Sequence, residues 1–318
     1  MKTQDEKAPK NSWLQNFPIM FYTVVMGLGG LALAYERLNL IFGISGWIFE
    51  ILRWMASLAY TVISALYAAK IIRYPQAFKA EFSHPVRVNF FATFSVSTLL
   101  IAALWKDFTP VYGVLFYAGI VFQGIISLYV VSFWIKNNIL ISHSNPAWFI
   151  PIVGNLLVPL AAPAGSELAW YYFGVGIFFW PVLFAVLFYR IIFHDQMPQK
   201  FIPTLFIVIA PPAMAFLDYT KLTANFDAPA KIMLYVTLFF ALLILFMFKS
   251  FLRLKFFLSW WAFTFPTAAI CVAVLRAYEI SRNDIFAIFG IVFFVMLCVM
   301  IAIIGTATIK NILRGEIC

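Results

Sequence analysis

The side chains able to do chemistry are few and scattered. Among 318 residues there are 3 histidines, 3 cysteines and 13 carboxylates. His84, His143 and His194 each border an apolar run and lack ligand spacing, so loop or helix-cap roles fit them better than a metal. Cys271, Cys298 and Cys318 are isolated and form no metal or redox pair. Glu50 and Arg53 stand three apart, where they can pair on one helix face. Asp218 lies at the end of an apolar run. No nucleophile sits beside a base, and no two carboxylates are spaced as a catalytic acid and base. No catalytic residue, cofactor or metal is therefore expected. The stretch that raises a chemical question is uncharged: WWAFTFPTAAI, Trp260 to Ile270. It lies in an uncharged run from Phe256 to Leu275, closed by Lys255 and Arg276. That run has the length of a membrane-spanning helix. Phe265 and Pro266 fall at its middle, and proline lacks a backbone donor and crowds the preceding turn.

The elements that must position them are membrane helices. The chain is 64% hydrophobic and 11% charged, with a mean hydropathy of +0.94. Soluble domains carry roughly 25% charged residues. Lipid admits only helices or closed barrels, and the apolar runs here are long and do not alternate. Ten spans are expected, near 16–36, 44–71, 86–105, 109–135, 146–163, 167–192, 199–218, 227–250, 255–276 and 284–309. They make one membrane domain, 16–310, between short tails, 1–15 and 311–318. The first run is too long for a signal-peptide core and reads as a retained helix. With the N-terminus inside, inner loops and tails hold 15 of the 22 basic residues and 5 of the 13 acids. This bias places both termini in the cytoplasm, in a cell or plasma membrane. It accounts for the net charge of +9 without a nucleic-acid partner. The expected surroundings are membrane lipid.

Odd and even spans differ. Pro151 and Pro159 fall in span 5, Pro203, Pro211 and Pro212 in span 7, and Pro266 in span 9. Span 1 carries Gly27, Gly29 and Gly30. Among even spans only Pro181 is internal. HPVRVNFF, NPAWFIPIVGN and MPQKFIPTLFI, at the starts of spans 3, 5 and 7, form a weak repeat and suggest five copies of one helical hairpin. Kinked helices are tolerated at membrane depth where they are buried or line a cavity. The odd spans are thus expected inside, around an axial pore, with kinks at Gly27, Pro159, Pro211, Pro212 and Pro266. The even spans are expected to face lipid.

No ionisable residue falls mid-depth on an odd span, whereas proton-coupled carriers commonly keep one there as a relay. A passive path is favoured. No acidic ring or carbonyl filter suits a cation. Arg87, Lys200 and Lys255 mark a candidate basic inner mouth, which would concentrate anions. Ser97, Asn155 and Thr264 are candidate lining residues, with the hydroxyls of Ser97 and Thr264 as donors. Phe265 is a candidate plug, aimed by the kink at Pro266.

HPVR (84–87), NPAWFIP (145–151), APPA (210–213) and WWAFTFP (260–266), in this order, resemble the plant guard-cell slow anion channels and their bacterial TehA-like relatives of the tellurite-resistance/dicarboxylate transporter family. The resemblance covers nearly the whole chain. It implies ten helices in five hairpins, a quasi-fivefold inner ring, and a homotrimer with one pore per subunit, each plugged by a phenylalanine matching Phe265. It also implies passive permeation of small anions such as chloride and nitrate. Other members are named for export of dicarboxylate, sulfite or tellurite-related anions, so a proton-coupled or secondary exporter is the competing expectation.

Overall fold

The computed structural model describes residues 12–317, so most of the expected N-terminal tail and Cys318 lie outside the described residues. Among the described residues the regular structure is entirely helical. Nine helices among the described residues are long and apolar enough to cross a membrane. Keeping the span numbers, they are span 1 (Ile19–Phe42), span 2 (Gly46–Arg73), span 3 (Arg87–Leu104), span 4 (Thr109–Lys136), span 6 (Glu167–Phe193), span 7 (Gln199–Thr223), span 8 (Ala228–Phe246), span 9 (Leu258–Ser281) and span 10 (Asp284–Leu313). At the place expected for span 5 stands a shorter apolar helix, Pro146–Ala161. The chain is a multi-pass membrane protein.

Spans 1 and 9 run further than the charges suggested. Expected to stop near Glu36 and Arg276, they continue to Phe42 and Ser281. The charges are tolerated because they pair: Lys106 meets Glu36 at 2.9 Å, while Arg37 and Arg276 meet Glu279 at 3.0 and 3.1 Å. Spans 1, 7 and 9 end on left-handed residues, Gly43, Ala224 and Arg282. Glycine adopts that backbone without a Cβ penalty, but Ala224 at φ 56° does not. Ala224→Gly is therefore expected to stabilise the protein by about 0.5–1 kcal/mol, read as a higher melting midpoint in detergent.

Each odd segment begins in the narrower 3₁₀ form and widens to α. The 3₁₀ stretches are Ile19–Phe21, Arg87–Phe91, Pro146–Trp148, Gln199–Ile209 and Leu258–Phe263. Three of the expected kink residues stand just past these 3₁₀ stretches. Pro211 and Pro212 occupy the second and third positions of the α-helix Ala210–Thr223, and Pro266 the third position of Thr264–Ser281. There proline's fixed φ suits the first turn of an α-helix. Pro159 lies inside its helix, two residues from the end. The Lys221 ammonium donates to the carbonyls of Pro159, Leu160 and Ala162 at 2.7–2.9 Å, covering that end. Around Gly27 the α-helix runs unbroken from Tyr22 to Phe42. A Cβ on Gly27 would sit 2.9 Å from ring carbons of Trp261 and overlap the Thr264 hydroxyl. Gly27 therefore lets span 1 close on span 9.

Span 1 packs on spans 3 and 9, span 3 on segment 5, segment 5 on span 7, and span 7 on span 9. Every odd segment also packs on the even span that follows it. The odd spans are 72–89% buried over their most apolar windows and the even spans 22–33%. Leu58, Ile125, Phe178, Leu242 and Val292, all on even spans, are exposed. In a membrane protein such a surface faces lipid.

Near the start of span 1 the chain is pinned by a buried charge pair. Lys70, at the end of span 2, bonds the Glu81 carboxylate and donates to the Phe17 carbonyl at 2.8 Å. Glu81 also accepts from the backbone N–H of Ile19 at 2.9 Å and from the Tyr67 hydroxyl at 3.0 Å.

Candidate functional site

Phe265 stands between two small cavities. One, of about 40 Å³, is lined by Met20, Thr23 and Met26 of span 1 and by residues of every other odd segment, among them Phe90, Val153, Ile207 and Pro266. The other, of about 50 Å³, is lined by Gly30 and Leu33 of span 1, Leu100, Leu160, Met214, Val272 and others, again from all five. Phe265 is the residue common to both linings. Each cavity has room for about two to four waters. The ring itself is buried.

At the end where the odd segments begin, the first cavity adjoins a wide vestibule of about 880 Å³, with which it shares Met20 and Phe90. Met20 and Phe90 thus border both the vestibule and the first cavity, and Phe265 both the first cavity and the second. The second cavity ends at Glu36 and Arg37.

The vestibule wall carries Lys70, His84, Arg87, His143 and Lys200, with Glu81 and Glu316 as its acids. Arg87 and Lys200 are exposed there, whereas Lys255, also exposed, is outside the vestibule lining. The Nδ1 atom of His84 accepts from the backbone N–H groups of Val86 and Arg87 at 3.1 and 3.3 Å, the loop role expected of it. Partial burial, and then the positive charges of Arg87, His143 and Lys200, push the His84 imidazole below its usual range.

The polar residues expected on the path stand elsewhere. Ser97, Asn155 and Thr264 are buried, but none lines either cavity. Ser97 donates to the Tyr22 carbonyl at 3.1 Å and Thr264 to the Trp261 carbonyl at 2.8 Å. The Asn155 amide donates to the carbonyls of Pro151 and Ile152 and to the Ser127 hydroxyl. These groups satisfy backbone carbonyls or bridge helices, because an unpaired donor is costly where no water reaches. The hydroxyls that do line the first cavity, Thr23, Thr204 and Ser259, were not foreseen. Their single protons are also spent, on the carbonyls of Met20, Phe201 and Lys200. The path beside Phe265 is therefore carbon-lined and weakly interacting. Asp218 is fully buried near the end of span 7, and neither of its oxygens has a hydrogen-bond partner among the described residues.

Taken together, these features define a helical membrane protein in which one aromatic ring borders two buried cavities. Residues 16–309 match the family described as SLAC1, voltage-dependent anion channel, and the chain belongs to that family. It is a family of channels and transporters rather than of enzymes. The chain is 27% identical over 278 residues to the S-type anion channel SLAH2 of Arabidopsis thaliana, covering 83% of this chain and 53% of that protein. It is 26% identical to the uncharacterized transporter MJ0762 of Methanocaldococcus jannaschii, covering 96% and 98% of the two. It is also 26% identical to a tellurite resistance protein TehA homolog of Haemophilus influenzae, covering 94% and 92%. The chain spans about half the length of the plant channel SLAH2 but nearly all of the archaeal and bacterial relatives.

Proposed function

We propose that the protein is a gated, passive channel for small monovalent anions such as chloride and nitrate. The single observation that carries this reading is the position of Phe265 between two cavities built by the same five segments. In this reading the segments form five hairpins whose odd members make a quasi-fivefold ring. The path between them is the pore, and the phenyl ring closes it by excluding water. The vestibule is the cytoplasmic mouth, where Arg87 and Lys200 raise the local anion concentration. Both termini are cytoplasmic, ten segments cross the membrane, and three subunits assemble with one pore each. Carbon walls and spent hydroxyls offer no deep binding site. An anion crossing such a pore leaves as readily as it enters.

A coupled mechanism needs a group that binds or relays the coupling ion. The two cavities place no titratable side chain between the vestibule and Glu36, which supports passive flow. The test is chloride and nitrate flux through proteoliposomes bearing wild type or Phe265→Ala, with no pH gradient. A large anion-selective flux in the variant is expected. Flux that appears only with a proton gradient would replace this reading with a coupled exporter.

A further inference from the structure

The search for a group that reads the anion leads beyond Phe265. Gly30 packs against the Phe265 ring, and from there the wall advances along one face of span 1 through Leu33 to Arg37. That places Arg37 about 10 Å further along the helix. It is the one cation in the lining of the second cavity among the described residues. Its guanidinium is only partly committed. Nη1 alone meets both oxygens of Glu279, at 3.0 and 3.1 Å, while Nη2 and Nε make no hydrogen bond among the described residues. The side chain is 28% exposed. The competing charges nearby are accounted for. Glu279 is shared with Arg276 at 3.1 Å, Glu36 is held by Lys106, and Lys221 is spent on three carbonyls.

We propose that Arg37, held in place by Glu279, is the specificity-determining residue on the far side of the plug, and that it recognises planar oxyanions such as nitrate, bicarbonate and short carboxylates. An edge of two parallel N–H donors matches two oxygens of a planar anion, whereas a halide offers one contact centre. Glu279 is a positioning residue. The proposal rests on the channel reading for its place in permeation, but anion binding at Arg37 does not depend on conduction.

Two measurements test it. In the Phe265→Ala background, reversal potentials under a nitrate–chloride gradient give the permeability ratio. Adding Arg37→Gln or Arg37→Lys is expected to lower the nitrate preference by at least about threefold. Arg37→Lys keeps the charge without the fork and should retain chloride current. Separately, purified wild type is melted in sodium nitrate and in sodium chloride at equal ionic strength. The midpoint difference between the two salts is expected to collapse in both Arg37 variants. A ratio and a midpoint difference unchanged by either variant would overturn the proposal. So would variants that melt lower in both salts by equal amounts, which is a purely structural effect. If the Phe265→Ala parent is silent, the channel reading fails, and the melting comparison still decides on Arg37.

Discussion

Phe265→Ala should turn a nearly closed protein into an open one. The ring is the residue shared by the two cavities, so its removal joins them. Closure by a phenyl ring forces an anion to shed water beside carbon, with the Thr23, Thr204 and Ser259 protons already bonded to carbonyls. Dehydration of an ion in a protein costs several kcal/mol, and each ~1.4 kcal/mol of barrier is about tenfold in rate. Unitary anion flux is therefore expected to rise by at least about 100-fold. Truncating a phenylalanine in a close-packed core costs about 3–5 kcal/mol. Here the ring borders free volume on two sides, so the fold should survive. Phe265→Trp is expected to stay closed and Phe265→Leu to conduct between the two. Single-channel recording of the three variants checks the order. An open Phe265→Trp channel would show that ring size is not what blocks the path.

Lys70→Met should be the most destabilising single change in this protein. Lys70 and Glu81 are each only 3% exposed. Removing the ammonium leaves the Glu81 carboxylate buried, with only the Ile19 N–H and the Tyr67 hydroxyl to compensate it. Breaking such a pair from one side costs about 3–5 kcal/mol, mostly the penalty for the orphaned charge. In a chain of this size that corresponds to a fall of roughly 5–10 °C in melting midpoint. Lys70→Met/Glu81→Gln should recover at least half the loss, because the amide oxygen still accepts from Ile19 without burying a charge. A double variant no better than the single would show that Lys70 acts through its bond to Phe17 instead. Both residues line the vestibule. The same experiment therefore asks whether the pinned start of span 1 shapes that mouth, read as a change in flux in the Phe265→Ala background.

How much was legible beforehand can be argued from particular residues. The apolar runs, their order and the odd–even contrast follow from composition, because lipid demands helices and the positions of proline and glycine are one-dimensional facts. Phe265 was legible for the same reason: a bulky ring and a proline in mid-run, set in a motif with a family resemblance. Ser97, Asn155 and Thr264 are expected on the path for being polar in inner helices, and their side chains instead bond backbone carbonyls. A helix that is apolar all round carries no periodic signal of its rotation about its axis. Nothing in the sequence could therefore say which face meets the cavity. Arg37 lies just past the expected end of span 1 near Glu36, because charge ordinarily ends an apolar run. Its partner Glu279 lies 242 residues away.

The sequence by itself determined the solvent, the helical class of the fold and the order of the apolar segments. Each of these depends on local composition or on a short motif. Only the tertiary structure decided that the prolines sit at 3₁₀-to-α switches, that Gly27 closes a helix contact, and which hydroxyls and which arginine meet the cavities. Those outcomes depend on pairings between segments far apart in the chain. There the cost of an unpaired buried donor or charge, rather than local propensity, selects the arrangement.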